Sequence, residues 1–319
     1  MISYALRRLG YGAVVMVMVT ILVFVIMRLV PGDAVSLMLQ ETGASREEAD
    51  ALRAEFGLDA PVWTQLWHWL AGAAQGDLGT SFYSREPVVE LFLARVPVTV
   101  QLGLLAMLVG TLLGLTVGVI AAVTRGSAVD GTLRLIAVAF LSVPNFVVAL
   151  LVLTGLAIWF VWSPPIVYAG PTEDFTSWWQ QIIIPVLALG TGMMASVARL
   201  TRSSMLESLG SDYIRTVRAK GVRERTVLLK HSLRNSTIAV LTLLGLELAT
   251  VLGGTVIIEQ MFALPGTGQL IYQAVLDRDY PVVVACTIFY AALFIITIII
   301  IDLLYALVDP RIRHGRALS

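Results

Sequence analysis

Apolar residues run along this chain over lengths that neither a soluble strand nor a half-buried helix requires. Between Leu9 and Val30 the single charge is Arg28, and comparable runs recur at about 98–123, 135–162, 182–201, 236–258 and 281–307. Crossing a hydrocarbon layer takes about 20 such residues at 1.5 Å rise each. The pattern predicts six spanning helices and an all-α integral membrane protein. Arg7 and Arg8 precede the first run, which is too long for the core of a signal peptide and ends in Arg28-Leu29-Val30-Pro31-Gly32-Asp33, so it reads as a retained anchor helix. Pro97 and Pro281 suit first-turn positions, where a missing N–H leaves no bond unmade. Pro144 falls inside the third run and is expected to kink it.

The polar intervals carry their own signals. Ser45 and Glu48 form a capping box opening a short helix that stops at Gly57. Pro61 opens another, with Trp63, Leu66, Trp67 and Leu70 spaced to share one face. That helix either lies at the membrane interface or docks an external partner. Within the second run, Gly110, Gly114 and Gly118 recur every fourth residue, the spacing that lets a second helix approach at backbone distance.

Charge then sets the orientation. With the N-terminus inside, 16 of the 22 Lys and Arg fall on the inner side and 6 on the outer, so both termini are expected in the cytoplasm. All seven tryptophans fall on or near the outer side in that arrangement. Net charge is zero and only 14% of residues are charged, which gives no nucleic-acid signal. Cys286 stands alone in an apolar run and His68, His231 and His314 lie far apart, so neither a disulfide framework nor a metal-ligand spacing is present.

The densest basic stretch is SDYIRTVRAKGVRERTVLLKHSLRNS, residues 211–236, with seven Lys and Arg. Ile214 and Val217, with Gly221 next in line, fall on one side of a short helix; Val222, Leu229 and Leu233 line a second. Two amphipathic helices joined at Gly221 are expected, forming a compact knob. Such a knob either touches anionic membrane lipid, at about 1 kcal/mol per basic residue, or is gripped by another protein.

The stretch resembles the coupling loop of ABC importer permeases. More closely, Asp212, Tyr213, Ile214, Arg215 and Thr216 through Arg218, Ala219, Lys220 and Gly221, then His231, Leu233, Arg234 and Asn235, look like the dipeptide/oligopeptide/nickel branch of the binding-protein-dependent transport inner membrane components. Arg215-Thr216-Val217 occupies the place of the general E-A-A triplet, and no I-x-L-P follows. The similarity continues through Pro31-Gly32-Asp33, Gly57-Leu58-Asp59, Gly76-Asp77-Leu78-Gly79-Thr80-Ser81-Phe82, Ser142-Val143-Pro144-Asn145-Phe146, Ile258-Glu259, Phe262-Ala263-Leu264-Pro265-Gly266, Arg278-Asp279-Tyr280-Pro281 and Asp309-Pro310-Arg311.

The resemblance implies a type I ABC importer permease fold, with an anchor helix over 1–31, an extracytoplasmic segment over 32–96, a permease core over 97–308 and a cytoplasmic tail over 309–319. It implies a bacterial or archaeal inner membrane, a second homologous permease subunit, two cytoplasmic ATPase subunits and an extracytoplasmic solute-binding protein. ATP and Mg would sit on the ATPases. Lys220 and Lys230 are the only lysines and neither completes a phosphate-cradling G-x-x-x-x-G-K-[ST] loop. The substrate would be a peptide or a similar small solute.

Two ionisable groups lie within the runs, Glu247 and Asp302. Glu247 either faces a translocation path or hydrogen-bonds Thr242, Thr250 or a partner chain. Asp302, near the inner surface, pairs there or takes a functional role. An ion- or proton-coupled carrier using both residues is the alternative function; a membrane enzyme or scaffold is a third. The interval Glu259–Pro281, with Pro265 and Gly266, is a re-entrant or outer loop, either a solvated turn or a gate.

Overall fold

The computed structural model describes residues 2–29, 32–42 and 45–308, with backbone alone at 2–9, 40–42, 235, 238, 249 and 301–308. In chain order the helices are α1 (Ile2–Leu29), α2 (Ala34–Thr42), α3 (Arg46–Glu55), α4 (Val62–Ala73), α5 (Val88–Val123), α6 (Ala128–Ser142), α7 (Asn145–Phe160), α8 (Phe175–Leu209), α9 (Asp212–Ala219), α10 (Glu224–Thr226), a π-helical turn (Val227–Ser232), α11 (Leu233–Met261), α12 (Thr267–Leu276) and α13 (Tyr280–Val308). Four described helices are long and apolar enough to cross a membrane, or up to six if each of two bent pairs counts as one span. The tail over 309–319, Pro31 and the side chain of Asp302 lie outside the described residues.

Prolines decide where the helices break. Pro281 is the second residue of α13, as expected. Pro97 is not in a first turn: it lies inside α5, which begins at Val88. The proline that opens this helix is Pro87, whose carbonyl accepts from Glu90 N at 3.0 Å and Leu91 N at 3.2 Å. The third expected span is not one kinked helix but two, α6 and α7, bent by 104°. A residue before proline is driven to extended backbone, and Val143 adopts φ −102°, ψ 125°. The helix restarts only after Pro144.

The chain forms two compact units, one of residues 1–99 and 264–296, the other of residues 100–263 and 297–319. In the first, Ser45 and Glu48 form the reciprocal capping box of α3, and Gly57, at φ 65°, ends it with Leu58 N bonded to Arg53 O at 2.8 Å. Asp33 accepts from Arg53 Nε at 2.8 Å and from Ser36 N at 2.7 Å. Burial opposes its ionisation, but these hydrogen bonds outweigh burial and hold its pKa at about 2. Its contribution to stability is therefore complete above the ordinary carboxylate pKa near about 4 and is lost as pH falls through about 2.

Several of the short family-like motifs of the sequence, those at 57–59, 76–82 and 278–281, lie in this unit. Ser81 Oγ donates to Asp279 Oδ2 at 2.5 Å, with both residues buried. Burial pushes the Asp279 carboxyl up, against the pull of that hydroxyl and the backbone of Phe82 and Tyr83. Phe82 stacks on Phe56 at 4.4 Å and meets Tyr280 edge-on at 6.0 Å, while the Arg28 guanidinium lies 4.1 Å over the Tyr280 ring. Ser81→Ala is expected to destabilise the protein by about 2 kcal/mol, the cost of leaving a buried carboxylate short of a donor, read as a lowered melting temperature. Cys286 is buried in the same unit with Val88, Leu270, Val282 and Val283.

The expected common face of Trp63, Leu66, Trp67 and Leu70 divides. Leu66 is buried against Phe24 and Val284, with Trp69 and Leu70 beside it, whereas Trp63 and Trp67 are 68% and 72% exposed. Trp69 takes the inward place and donates Nε1–H to Leu78 O at 3.3 Å.

In the second unit α8 is the central helix, packed by α6, α7 and α11 and buried along most of its length from Ile182 to Met205. The glycine ladder of α5 rests on it: a Cβ at Gly110, Gly114 or Gly118 would come within 2.9, 2.6 or 2.6 Å of Gly190 O, Val197 Cβ and Thr201 Cβ. The neighbour left open by the sequence thus belongs to this chain. Below that contact Arg202 grips Asp130 with two bonds, Nε at 2.7 Å and Nη2 at 2.8 Å, and Gly126 N adds a third at 3.1 Å. Asp130→Ala, which strands a half-buried guanidinium, is expected to lower the melting temperature clearly more than Arg215→Ala, whose partner Asp212 is solvent-exposed.

Candidate functional site

The basic bend is built from a cap, an apolar pin and a glycine turn. Ser211 caps α9, its Oγ accepting from Ile214 N at 3.4 Å and donating to Ser208 O at 2.7 Å. Ile214 and Val217 then turn inward onto Val227, with Leu209 and Val222 packed around them. Gly221 follows at φ 78°, a conformation that a residue with a Cβ rarely adopts. Arg218 reaches across the turn to Glu224 with Nη2 at 2.6 Å and Nε at 3.1 Å. That pair holds the Glu224 carboxyl below its ordinary range.

The second half departs from the expectation. Residues 224–232 are not a separate amphipathic helix: α10 passes through the π-helical turn directly into α11. The π turn rotates the side chains relative to a regular helix, so Val227 is buried and Leu229 is 48% exposed. Two cross-links stiffen the bend. Tyr213 Oη lies 2.7 Å from His231 Nδ1, joining α9 to the π turn, and Ser232 Oγ donates to Met205 O at 3.3 Å, joining that turn to α8.

Asp212, Tyr213, Arg215, Thr216, Arg218, Ala219, Lys220, Gly221 and Arg234 are all exposed on this knob, and His231 and Leu233 are half-buried. Ser211, Glu224, Val227 and Ser232 are the positions that sequence reasoning missed. Glu224 had a readable signal, an acidic residue among seven basic ones just past a glycine turn.

A second candidate lies farther along the same helices. Glu247 is half-buried and lines a cavity of about 360 Å³ together with Ser142, Pro144, Asn145, Gly192, Ser196 and Thr250. Glu259 is fully buried. Gly266 caps α12 in extended backbone, and Thr267, just after it, takes bonds from N and Oγ1 to Thr99 Oγ1 at 2.8 and 2.9 Å. The interval Glu259–Pro281 therefore contains a ten-residue helix with one buried face, rather than a solvated turn. Among the described residues no three His, Cys, Asp or Glu side chains gather as metal ligands would.

Residues 114–314, which take in the bend and the cavity, match the model of the family described as "binding-protein-dependent transport system inner membrane component", and residues 1–103 match its N-terminal model. The chain belongs to this family. A putative peptide transport system permease protein of Brucella abortus is 39% identical over 98% of this chain and 100% of its own. The dipeptide transport system permease protein DppB of Escherichia coli is 38% identical over 99% of this chain and 100% of its own. Among solved structures, the inward-facing MetNI methionine ABC transporter aligns with a TM-score of 0.56 at 20% identity, covering 69% of the permease and 97% of that chain. An amino acid ABC transporter aligns at 0.54 and 17%, covering 68% and 94%. The fold is that of ABC importer permeases. The permease is thus the inner-membrane component of a binding-protein-dependent transport system, not itself an enzyme. An ion- or proton-coupled carrier finds no support in these relatives.

Proposed function

We propose that this permease is one of two homologous membrane subunits of an ATP-driven importer of peptides or similar small solutes, and that its basic bend is the handle gripped by a cytoplasmic ATPase. The rigidity of that bend carries the reading. A lipid-touching loop has no need of a cap, a buried Ile214–Val217–Val227 pin, an Arg218–Glu224 clasp and two cross-links, one within the bend and one to α8. A handle needs all of them, because force reaches the membrane only through contacts that do not yield.

The route of that force is short. The bend is fastened to α8 through Ser232 and Met205 and continues without interruption into α11. Both helices line the Glu247 cavity, α8 with Gly192 and Ser196, α11 with Glu247 and Thr250. When ATP draws two ATPases together, displacement of the bend re-sets α8 against α11 and switches the cavity between inward- and outward-open arrangements. On this reading the termini are cytoplasmic, ATP and Mg sit on the ATPases, and an extracytoplasmic solute-binding protein delivers the substrate. The membrane would be a bacterial or archaeal inner membrane, and Glu259, Pro265 and Gly266 would belong to the gate or path. The names of the relatives support peptides as the substrate class.

The test is reconstitution of the permease, with the chains that co-purify with it, into liposomes. Uptake of labelled dialanine is expected only with ATP and the complete set of companions. Uptake by the permease alone, driven by an ion gradient, would overturn the proposal.

A further inference from the structure

The Glu247 cavity has a feature that the handle does not explain: one broken span and one bent helix open onto it. One interruption is the 104° break between α6 and α7, which brings Ser142, Pro144 and Asn145 to the wall. The other is a 41° bend of α11 between Leu248 and Thr250, immediately after Glu247. Within a bilayer, broken helix backbone is tolerated only where it is buried in protein or lines a watery cavity. Gly192, on the opposing wall, is the midpoint of the 35-residue α8, away from both of its ends.

The lining is rich in acceptors. The last carbonyls of α6 have no partner within their own helix. Ser142 Oγ spends its proton on Val138 O at 2.9 Å, which leaves its lone pairs as acceptors. Asn145 brings its amide to Gly192, where a Cβ would stand 3.1 Å from Oδ1; glycine keeps that amide accessible. The end of α6 and the start of α7 oppose each other as dipoles, so formal charge decides the field. No Lys, Arg or His lines the cavity, and Glu247 forms no ion pair among the described residues. An acidic residue within a spanning helix marks a functional site by default, and a cation from outside the chain is the complement that no residue of this lining supplies.

We infer that this cavity is a transient binding site for the N-terminal ammonium of a peptide in transit, with Glu247 as counter-ion and the broken-helix carbonyls and hydroxyls receiving the ammonium protons. The cavity volume lies within the about 300–1,000 Å³ of small-molecule sites, enough for one end of a short peptide. Specificity would then be exerted a second time inside the membrane, after the binding protein. The inference rests on the peptide-importer reading and adds a residue and a chemical group to it.

Two measurements on the complete transporter test it. In the first, uptake of dialanine by Glu247→Gln is expected to fall about tenfold or more, the loss of one charged hydrogen bond, while the complex still purifies intact with an unchanged melting temperature and Glu247→Asp recovers part of the rate. In the second, saturation-transfer NMR on the complex without its binding protein is expected to detect dialanine at the wild-type site, but neither dialanine at Glu247→Gln nor lactoyl-alanine, in which hydroxyl replaces ammonium, at either. Wild-type uptake by Glu247→Gln, or equal binding of lactoyl-alanine and dialanine, would overturn the amine site alone. Failure of the unmutated complex to take up dialanine would instead overturn the peptide reading on which it rests.

Discussion

Gly114→Ala is expected to abolish recovery of folded permease, although it adds a single methyl group. The new Cβ would lie 2.6 Å from Val197 Cβ and 2.8 Å from Met194 O. Neither atom can swing aside, since one is anchored to the backbone of α8 and the other is part of it. Relief requires moving α5 away from α8, and Gly110 and Gly118 would lose their contacts with it. In a bilayer no hydrophobic force drives the helices back together; close packing is what holds them. Overpacking a tight contact costs about 1–3 kcal/mol even where neighbours can adjust, and here they cannot. Gly253→Ala is the control, another helix-interior glycine in the same unit, with nothing within 4 Å of the added carbon. Monodisperse protein on size-exclusion chromatography after detergent extraction is expected for Gly253→Ala and not for Gly114→Ala. Equal recovery of the two would show that the glycine ladder does not hold α5 to α8.

Ala219→Glu is expected to leave the permease folded and to stop ATP-driven uptake. Ala219 ends α9 on the exposed side of the bend, beside Lys220 and the Gly221 turn, and a longer side chain there projects into solvent. It would meet whatever grips the handle, bringing bulk and a negative charge onto a surface of exposed Arg215, Arg218 and Lys220. Loss of the ATPase from the purified complex, with an unchanged melting temperature of the permease, is the expected result. Ile214→Glu serves as the contrast: Ile214 is fully buried against Val217 and Val227, so a carboxylate there is expected to loosen the bend itself and to lower the melting temperature as well. An Ala219→Glu permease that keeps its ATPase and its uptake would remove the handle from this face of the bend.

Much of this was legible in residue order because it rests on short-range rules. Long apolar runs must become helices in lipid, since no water is present to satisfy a bare backbone. A serine and a glutamate three residues apart close a capping box by themselves, as Ser45 and Glu48 do. A glycine amid charge, Gly221, marked a turn correctly. Short-range rules failed where an equally plausible neighbour competed. Pro87 and not Pro97 opens α5, because an apolar stretch is compatible with helix on either side of a proline. Leu229 gave up its inward place to Val227 because a π turn changes the angle between successive side chains, and no pattern of hydrophobic residues signals that change.

Residue order alone determined that this chain is a bundle of apolar helices with a concentrated basic bend, because burial in lipid and helix periodicity act on neighbours in sequence. Tertiary structure alone decided that Gly110, Gly114 and Gly118 seat against α8, that Arg202 closes on Asp130 72 residues away, and that Ser81 meets Asp279 across 198. It also decided that a broken span and a bent helix line the cavity of Glu247. Those pairings depend on which backbones come within a few ångströms of each other, a quantity set by the packing of whole helices and not by any local run of side chains.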